Sequence, residues 1–281
     1  VRLIVVGAGI GGSAFTRIAR ERGHEVTLIA GVDAPHSLAA TAVLRRAYHS
    51  TKMTFAAFAP DAWTWDGSMK FYQDWGIPIV SGAQVTSYRT PDAGPHFDKD
   101  WHLIDPAAPL LRPDVHGGVV DVPTGPAVQL ADGRQYEADA VILTPGHGPL
   151  SPPGKVTHGV TWVHPDPGVL LYPEGLQVHH WAPYKSIVAG PVGGTARLGS
   201  SSASNAVAAY AQARHLLATA WDIGMVNSVK GWRAQSGVRL QTREHVHHVG
   251  NRVYWFGGFH RTGYALAPSL AHQLITCMEP S

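Results

Sequence analysis

The sequence predicts an α/β chain, α+β overall, in which a parallel-sheet unit is joined to a smaller unit built on antiparallel strands. Three observations predict it. The apolar run Leu3-Ile4-Val5-Val6 passes directly into a glycine cluster and then into a helical pattern. An alternating stretch from Val178 to Ser201 carries a Gly193-Gly194 turn, as a β-meander does. The 281 residues are 44% hydrophobic, enough for a substantial core and too many for a chain that is mainly disordered.

Composition narrows the function classes. The formal net charge is +2 and only 15% of residues are charged, so there is no polybasic signature of a nucleic-acid or membrane-surface binder. The 31 glycines and 21 prolines predict many turns. A single cysteine, Cys277, excludes a disulfide framework, an iron–sulfur cluster and a multi-cysteine zinc site within one chain. No apolar run approaches the ~20 residues of a membrane-spanning helix. The first residues read as a strand and not as a secretion signal, so a cytoplasmic location is expected.

The N-terminal elements follow in order. Leu3 to Val6 is a strand buried on both faces. Gly7-Ala8-Gly9-Ile10-Gly11-Gly12 fits G-x-G-x-x-G through Gly7, Gly9 and Gly12. Gly7 permits the tight turn, Gly9 lets backbone approach a pyrophosphate, and Gly12 lets helix and strand pack closely. A helix from Ser13 to Arg22 buries Ala14, Phe15, Ile18 and Ala19 and stops at Gly23. Glu25 to Ile29 completes a Rossmann-type βαβ unit, whose helix N-terminus presents amides and partial positive charge to an anion. A dinucleotide site is therefore expected. One feature departs from the pattern: Ala30 stands where an acidic residue would bind the ribose, and Asp33, three residues on, is the candidate substitute.

Farther along, Trp63 to Trp75 reads as helical and Ile77 to Val80 as a strand. Val128-Gln129-Leu130 is a further strand. Trp162, Trp181 and Trp232 read as core or sheet-face aromatics, and Asn205 to Ile223 as a clean helix. Among the 17 histidines only His245 and His247 share a strand face, with no third ligand, so no metal is expected.

Further segments carry a resemblance. Ser37-Leu38-Ala39-Ala40-Thr41, the stretch Thr41 to Tyr48, Ala138 to Gly146, Gly237-Val238-Arg239 and Gly258 to Pro268 are similar to segments of the D-amino-acid-oxidase family of FAD-dependent amine oxidases, particularly glycine oxidase and monomeric sarcosine oxidase. The likeness is specific at both ends and thin between 50 and 135. It departs at Thr144-Pro145-Gly146, where the family has Ala-Thr-Gly, and in a shortened stretch from Asp105 to Asp139.

The resemblance implies FAD as the cofactor, held by the Gly7–Gly12 turn with Asp33, Ser37, Ala39, Ala40, Thr41 and Gly146. It adds Gly258, Arg261, Thr262, Gly263, Tyr264 and Ala265 from the C-terminal loop and helix. It implies a discontinuous FAD-binding domain over 1–60, 100–150 and 232–281, and a substrate domain over 61–99 and 151–231. Arg239 and Arg45 would hold a substrate carboxylate, with Arg261 either a substrate contact or an organiser of the flavin loop. Tyr184 and Tyr264 are candidate pocket hydroxyls, and Lys185 a cation near the reacting ring.

The activity implied is oxidation of a glycine-like primary or secondary amine to an imine, with dioxygen as acceptor and hydrogen peroxide as product. One alternative is the same chemistry on an amine carried by a larger molecule, such as a modified nucleobase in nucleic acid. Another is a flavin-binding subunit without turnover. Cys277 lies past the last motif and is not expected to bond to the flavin.

Overall fold

A computed structural model of the chain describes residues 1–31, 36–40, 42–45, 63–87, 94–122, 125–182, 185–199, 202–242, 244–259 and 263–279. In chain order they form β1 (Arg2–Val6), α1 (Ile10–Glu21), β2 (Glu25–Ala30), a 3₁₀ turn (His36–Ala39), β3 (Val43–Arg45), α2 (Trp63–Asp74), β4 (Ile79–Ser87) and β5 (His96–Ile104). The short strands β6 (Val115–His116), β7 (Val119–Asp121), β8 (Ala127–Leu130), β9 (Gln135–Glu137) and β10 (Ala140–Leu143) follow. Then come β11 (Lys155–His164), β12 (Leu176–Ala182), β13 (Lys185–Val192), β14 (Thr195–Gly199), α3 (Ala206–Asp222), β15 (Arg233–Gln241), β16 (Val246–Gly250), β17 (Val253–Phe256) and α4 (Gly263–Met278).

The first sheet has the order β16-β17-β10-β1-β2-β6, parallel throughout except for the β16–β17 hairpin. Alternation along β1 explains its two covers. Leu3 and Val5 join Phe15 and Ile18 of α1 and Leu266, Leu270 and Leu274 of α4 in one core. Ile4 and Val6 face the other way, onto Val128 and Leu130 of the β7-β8-β9 sheet. Because both faces are buried, the strand reads as a continuous apolar run. Among the described residues the interval from Leu111 to β8 holds β6 and β7 and no helix, in line with the shortened stretch.

The second sheet has eight strands in the order β15-β11-β14-β13-β12-β4-β5-β3, antiparallel apart from the β12–β4 pair. The expected meander is β12-β13-β14, with Gly193 and Gly194 at positive φ in its second turn. One face of the sheet, carrying Val160, Trp162, Ile187 and Leu198, packs on Ala209, Ala213, Leu216 and Ala220 of α3. The Trp162 indole donates to the Ala213 carbonyl at 2.7 Å, and Asn205 caps α3 by accepting from the Ala208 amide at 2.9 Å. Trp232 is buried in the same core.

Sheet membership cuts across the expected domain ranges. β3 and β15 fall inside the ranges expected for the first domain and β5 straddles residues 99 and 100, yet all three are strands of the second sheet. Conversely, α2 lies in the range assigned to the second domain but packs on α4, with the hydroxyls of Ser68 and Ser269 2.9 Å apart and Tyr72 donating to the Tyr264 carbonyl. Local sequence pattern identifies an element's type; the partner it docks on is a long-range choice.

Candidate functional site

The glycine turn between β1 and α1 is built by exclusion of side chains. Gly7 has φ +109°, and a Cβ on Gly12 would stand 1.8 Å from the Gly7 carbonyl oxygen and 2.5 Å from Thr144 Oγ1. Thr144 holds the turn from β10: its hydroxyl lies 2.8 Å from the Gly7 carbonyl oxygen and 2.9 Å from that of Val6. The Thr-Pro-Gly departure therefore supplies a clamp. The first intrahelical bond of α1 runs from the Ser13 amide to the Gly9 carbonyl, 2.9 Å. The amides of Ile10, Gly11 and Gly12 thus have no partner within the helix. Ser37 of the 3₁₀ turn accepts from the Ile10 amide at 3.0 Å, which brings that turn against the helix end.

The 3₁₀ turn is held from the second sheet by four bonds. Arg197 of β14 donates through Nη1 to the carbonyls of Leu38 and Ala40, both at 3.2 Å. Thr161 of β11 donates to the Ala39 carbonyl at 2.8 Å, and the Val238 amide of β15 donates to His36 Nδ1 at 3.1 Å. From α4, the buried Tyr264 hydroxyl lies 2.8 Å from the Ser37 carbonyl and 2.9 Å from that of Pro106. Burial raises the Tyr264 phenol well above its ordinary pKa and lowers the Arg197 guanidinium, with Asp105 and Tyr264 opposing the latter shift. Both side chains serve the turn's carbonyls.

Between the two sheets lies an open cleft. Its walls include Gly9, Ile10, Gly11, Ser37 and Gly146 around the glycine turn, Val238, Arg239 and Leu240 of β15, Ser186 and Val188 of β13, and Gly257, Gly258 and Phe259 after β17. Gly258, at φ +68°, has no room for a side chain: a Cβ would meet Thr242 Oγ1 at 2.0 Å. Gly263 and Tyr264, the first residues of α4, complete the wall.

The structure thus brings together Gly9, Ile10, Gly11, Ser37, Ala40, Gly146, Gly258, Gly263, Tyr264 and Arg239 from the expected set. Gly7, Ala8 and Gly12 form the turn behind the lining, and Ala39 and Ala265 are buried beside it. Tyr264 lines the cleft, but its hydroxyl is engaged by backbone. Asp33, Thr41, Tyr184, Arg261 and Thr262 lie outside the described residues, and for Arg45 and Lys185 only the backbone is described. Arg197, His36 and the Thr144 clamp were not legible as site residues. Their only sequence signals are an arginine inside an apolar strand and a threonine at a variant turn. Among the described residues no three metal-ligating side chains converge; the His245 ring nitrogen Nδ1 is 3.1 Å from the Gly257 carbonyl.

At the level of sequence, no family model and no curated protein matches the chain. Solved structures do. Iminodiacetate oxidase from Chelativorans sp. BNC1 superposes with a TM-score of 0.68 at 15% identity, over 100% of this chain and 96% of its own. Glycine oxidase from Geobacillus kaustophilus gives 0.68 at 16%, over 98% and 94%. An FAD-dependent oxidoreductase from Pseudomonas aeruginosa gives 0.64 at 14%, over 100% and 92%.

The chain has the glycine-oxidase fold. The parallel and antiparallel sheets belong to the fold shared with these solved structures, and the mixed α/β class expected from the sequence stands. Among the described residues no helix is long and apolar enough to cross a membrane.

Proposed function

We propose that the chain is an FAD-dependent oxidoreductase that oxidises the C–N bond of a small amine bearing a carboxylate, a glycine-like primary or secondary amine, to the imine. The observation that carries this reading is the continuity of one cleft from the glycine turn to Arg239. A helix N-terminus and glycines that leave no Cβ suit a pyrophosphate, and a guanidinium suits a carboxylate. The residues present fit the cofactor at the phosphate end: Gly12 and Gly7 admit only close backbone packing, and two further first-turn amides remain beside the Ser37-bound one. The fold shared with an FAD-dependent oxidoreductase supports the same choice.

Bound FAD would supply the two-electron acceptor. The chain's own residues do the rest. The amides at the start of α1, with Ser37, hold the pyrophosphate. The loop Gly257–Phe259 and the N-terminus of α4 line the reacting end, where the helix dipole favours negative charge. Arg239 holds the substrate carboxylate and so orients the Cα–H. Overall, two electrons and two protons leave the substrate, one hydrogen from carbon and one from nitrogen. Dioxygen as final acceptor receives them as hydrogen peroxide.

The test is anaerobic addition of an amine panel to FAD-loaded protein, followed by visible absorption. Bleaching by glycine or sarcosine is the expected outcome. Bleaching only by an aminated nucleoside would move the substrate to a larger carrier, and no bleaching by any amine would leave a binding protein. Arg239→Ala is expected to raise the KM for a carboxylated amine at least tenfold, a loss of about 1.5–3 kcal/mol, with FAD still bound. Unchanged kinetics would remove Arg239 from the site.

A further inference from the structure

Gly159 sits inside β11 and its place there needs a reason. A glycine in a strand interior weakens the strand and marks a left-handed turn, a bulge or a close approach. Gly159 is not among the residues at positive φ. The β11–β15 register runs without interruption from Lys155↔Gln241 to Val163↔Arg233, with Gly159 opposite Gly237 and Thr157 opposite Arg239. Close approach remains, and the approaching group is the Arg239 guanidinium. A Cβ on Gly159 would stand 2.4 Å from both Cζ and Nη2 of Arg239 and 2.6 Å from Nη1.

Near-equal distances to these three atoms mean that the guanidinium lies face-down over Gly159. Gly237 serves the same depression from the other strand: a Cβ there would meet the His36 carbonyl oxygen and the Ala39 Cβ, both at 2.9 Å.

We propose that Gly159 is a positioning residue, the seat that sets the height and tilt of Arg239 and thereby selects a carboxylate in the cleft. The proposal rests on the reading of Arg239 as the carboxylate-binding group. A methyl at 159 must lift the guanidinium by about 1 Å to reach ordinary contact distance. A bidentate fork at ~2.7–2.9 Å does not survive such a shift. The atoms displaced first are the far end of a flexible side chain, so the backbone can stay as it is.

The experiment uses FAD-loaded wild type, Gly159→Ala, Arg239→Ala and the double variant, titrated with acetate and with its neutral counterpart acetamide, read by visible absorption and by Tm. Gly159→Ala is expected to weaken acetate at least tenfold, leave acetamide unchanged and keep FAD. The double variant should bind acetate no more weakly than Arg239→Ala alone. In the Arg239→Ala background, adding Gly159→Ala should not lower Tm, because the clash has gone; a lower Tm there means the methyl meets something else and overturns the proposal. Wild-type acetate affinity in Gly159→Ala, with affinity lost in Arg239→Ala, overturns the seat and leaves the cleft reading intact. Unchanged acetate affinity in Arg239→Ala, or no acetate binding by wild type, overturns the cleft reading and the seat with it.

Discussion

A methyl group at Gly12 measures how little slack the nucleotide turn has. It would lie 1.8 Å from the Gly7 carbonyl oxygen, a rigid backbone atom between β1 and α1. Gly12→Ala is therefore expected to lower stability by roughly 3 kcal/mol and to abolish FAD retention. Gly118→Ala, where a Cβ meets nothing within 4 Å, should change neither. Thermal unfolding and the flavin absorbance of purified protein check both. The contrast explains what a linear sequence discloses about single residues. Gly12 acts on Gly7, five positions away, so the spacing of the motif carries the message even though Gly7 and Gly9 also face Thr144 and Ser37. Gly159 and Arg197 act across strands or on a turn some 160 residues distant, and nothing beside them in the chain signals it.

The packing of α1 against α4 carries a pH dependence of its own. Arg22 of the α1 C-cap donates to Thr276 Oγ1 at 2.9 Å, to Glu279 at 3.1 Å and to the His272 ring. His24 pairs with Glu279 at 3.1 Å. Burial, then Arg22, lowers the His272 pKa, with Glu279 opposing. The hydrogen bond from His24, then the Arg22 charge, lowers that of Glu279.

A lowered histidine favours the folded state above its unfolded value of about 6.5, and that advantage is lost as pH falls below that value and through its depressed folded one. The Glu279 contribution persists to lower pH and is lost as pH falls through its depressed folded value. Tm should thus drop between pH 7.5 and 5.5, and His272→Gln should flatten that slope; equal slopes in both proteins would show that His272 stays uncharged or unstrained. The helices themselves were readable from apolar spacing and a glycine stop. Which helices share an interface was not: α2 carries a serviceable amphipathic pattern, but only three-dimensional proximity reveals that α4 covers it.

At the scale of the molecule, the two sheets share one small knot. Bonds from Arg197, Thr161 and Val238 on the second sheet and from Tyr264 on α4 all end on the turn His36–Ala39. That turn also borders the cleft. Ligand binding there should stabilise both sheets together. With free FAD at about 100 times its Kd the gain is about 2.7 kcal/mol, or a rise in Tm of roughly 5–10 °C for a chain of this size. Calorimetry should record one transition that moves as a whole. Two separable transitions, only one of which shifts with FAD, would mean the knot does not couple the sheets.

β1 is completed by segments that lie far along the chain. It lies between β2 and β10, β10 in turn borders β17, and the helix layer over them includes α4, which ends at Met278. Taken alone, the leading βαβ segment has one flanking strand and half a roof. Its apolar underside is covered only once β10, β17 and α4 have joined it, a long-range requirement that slows folding and leaves the uncovered segment open to aggregation.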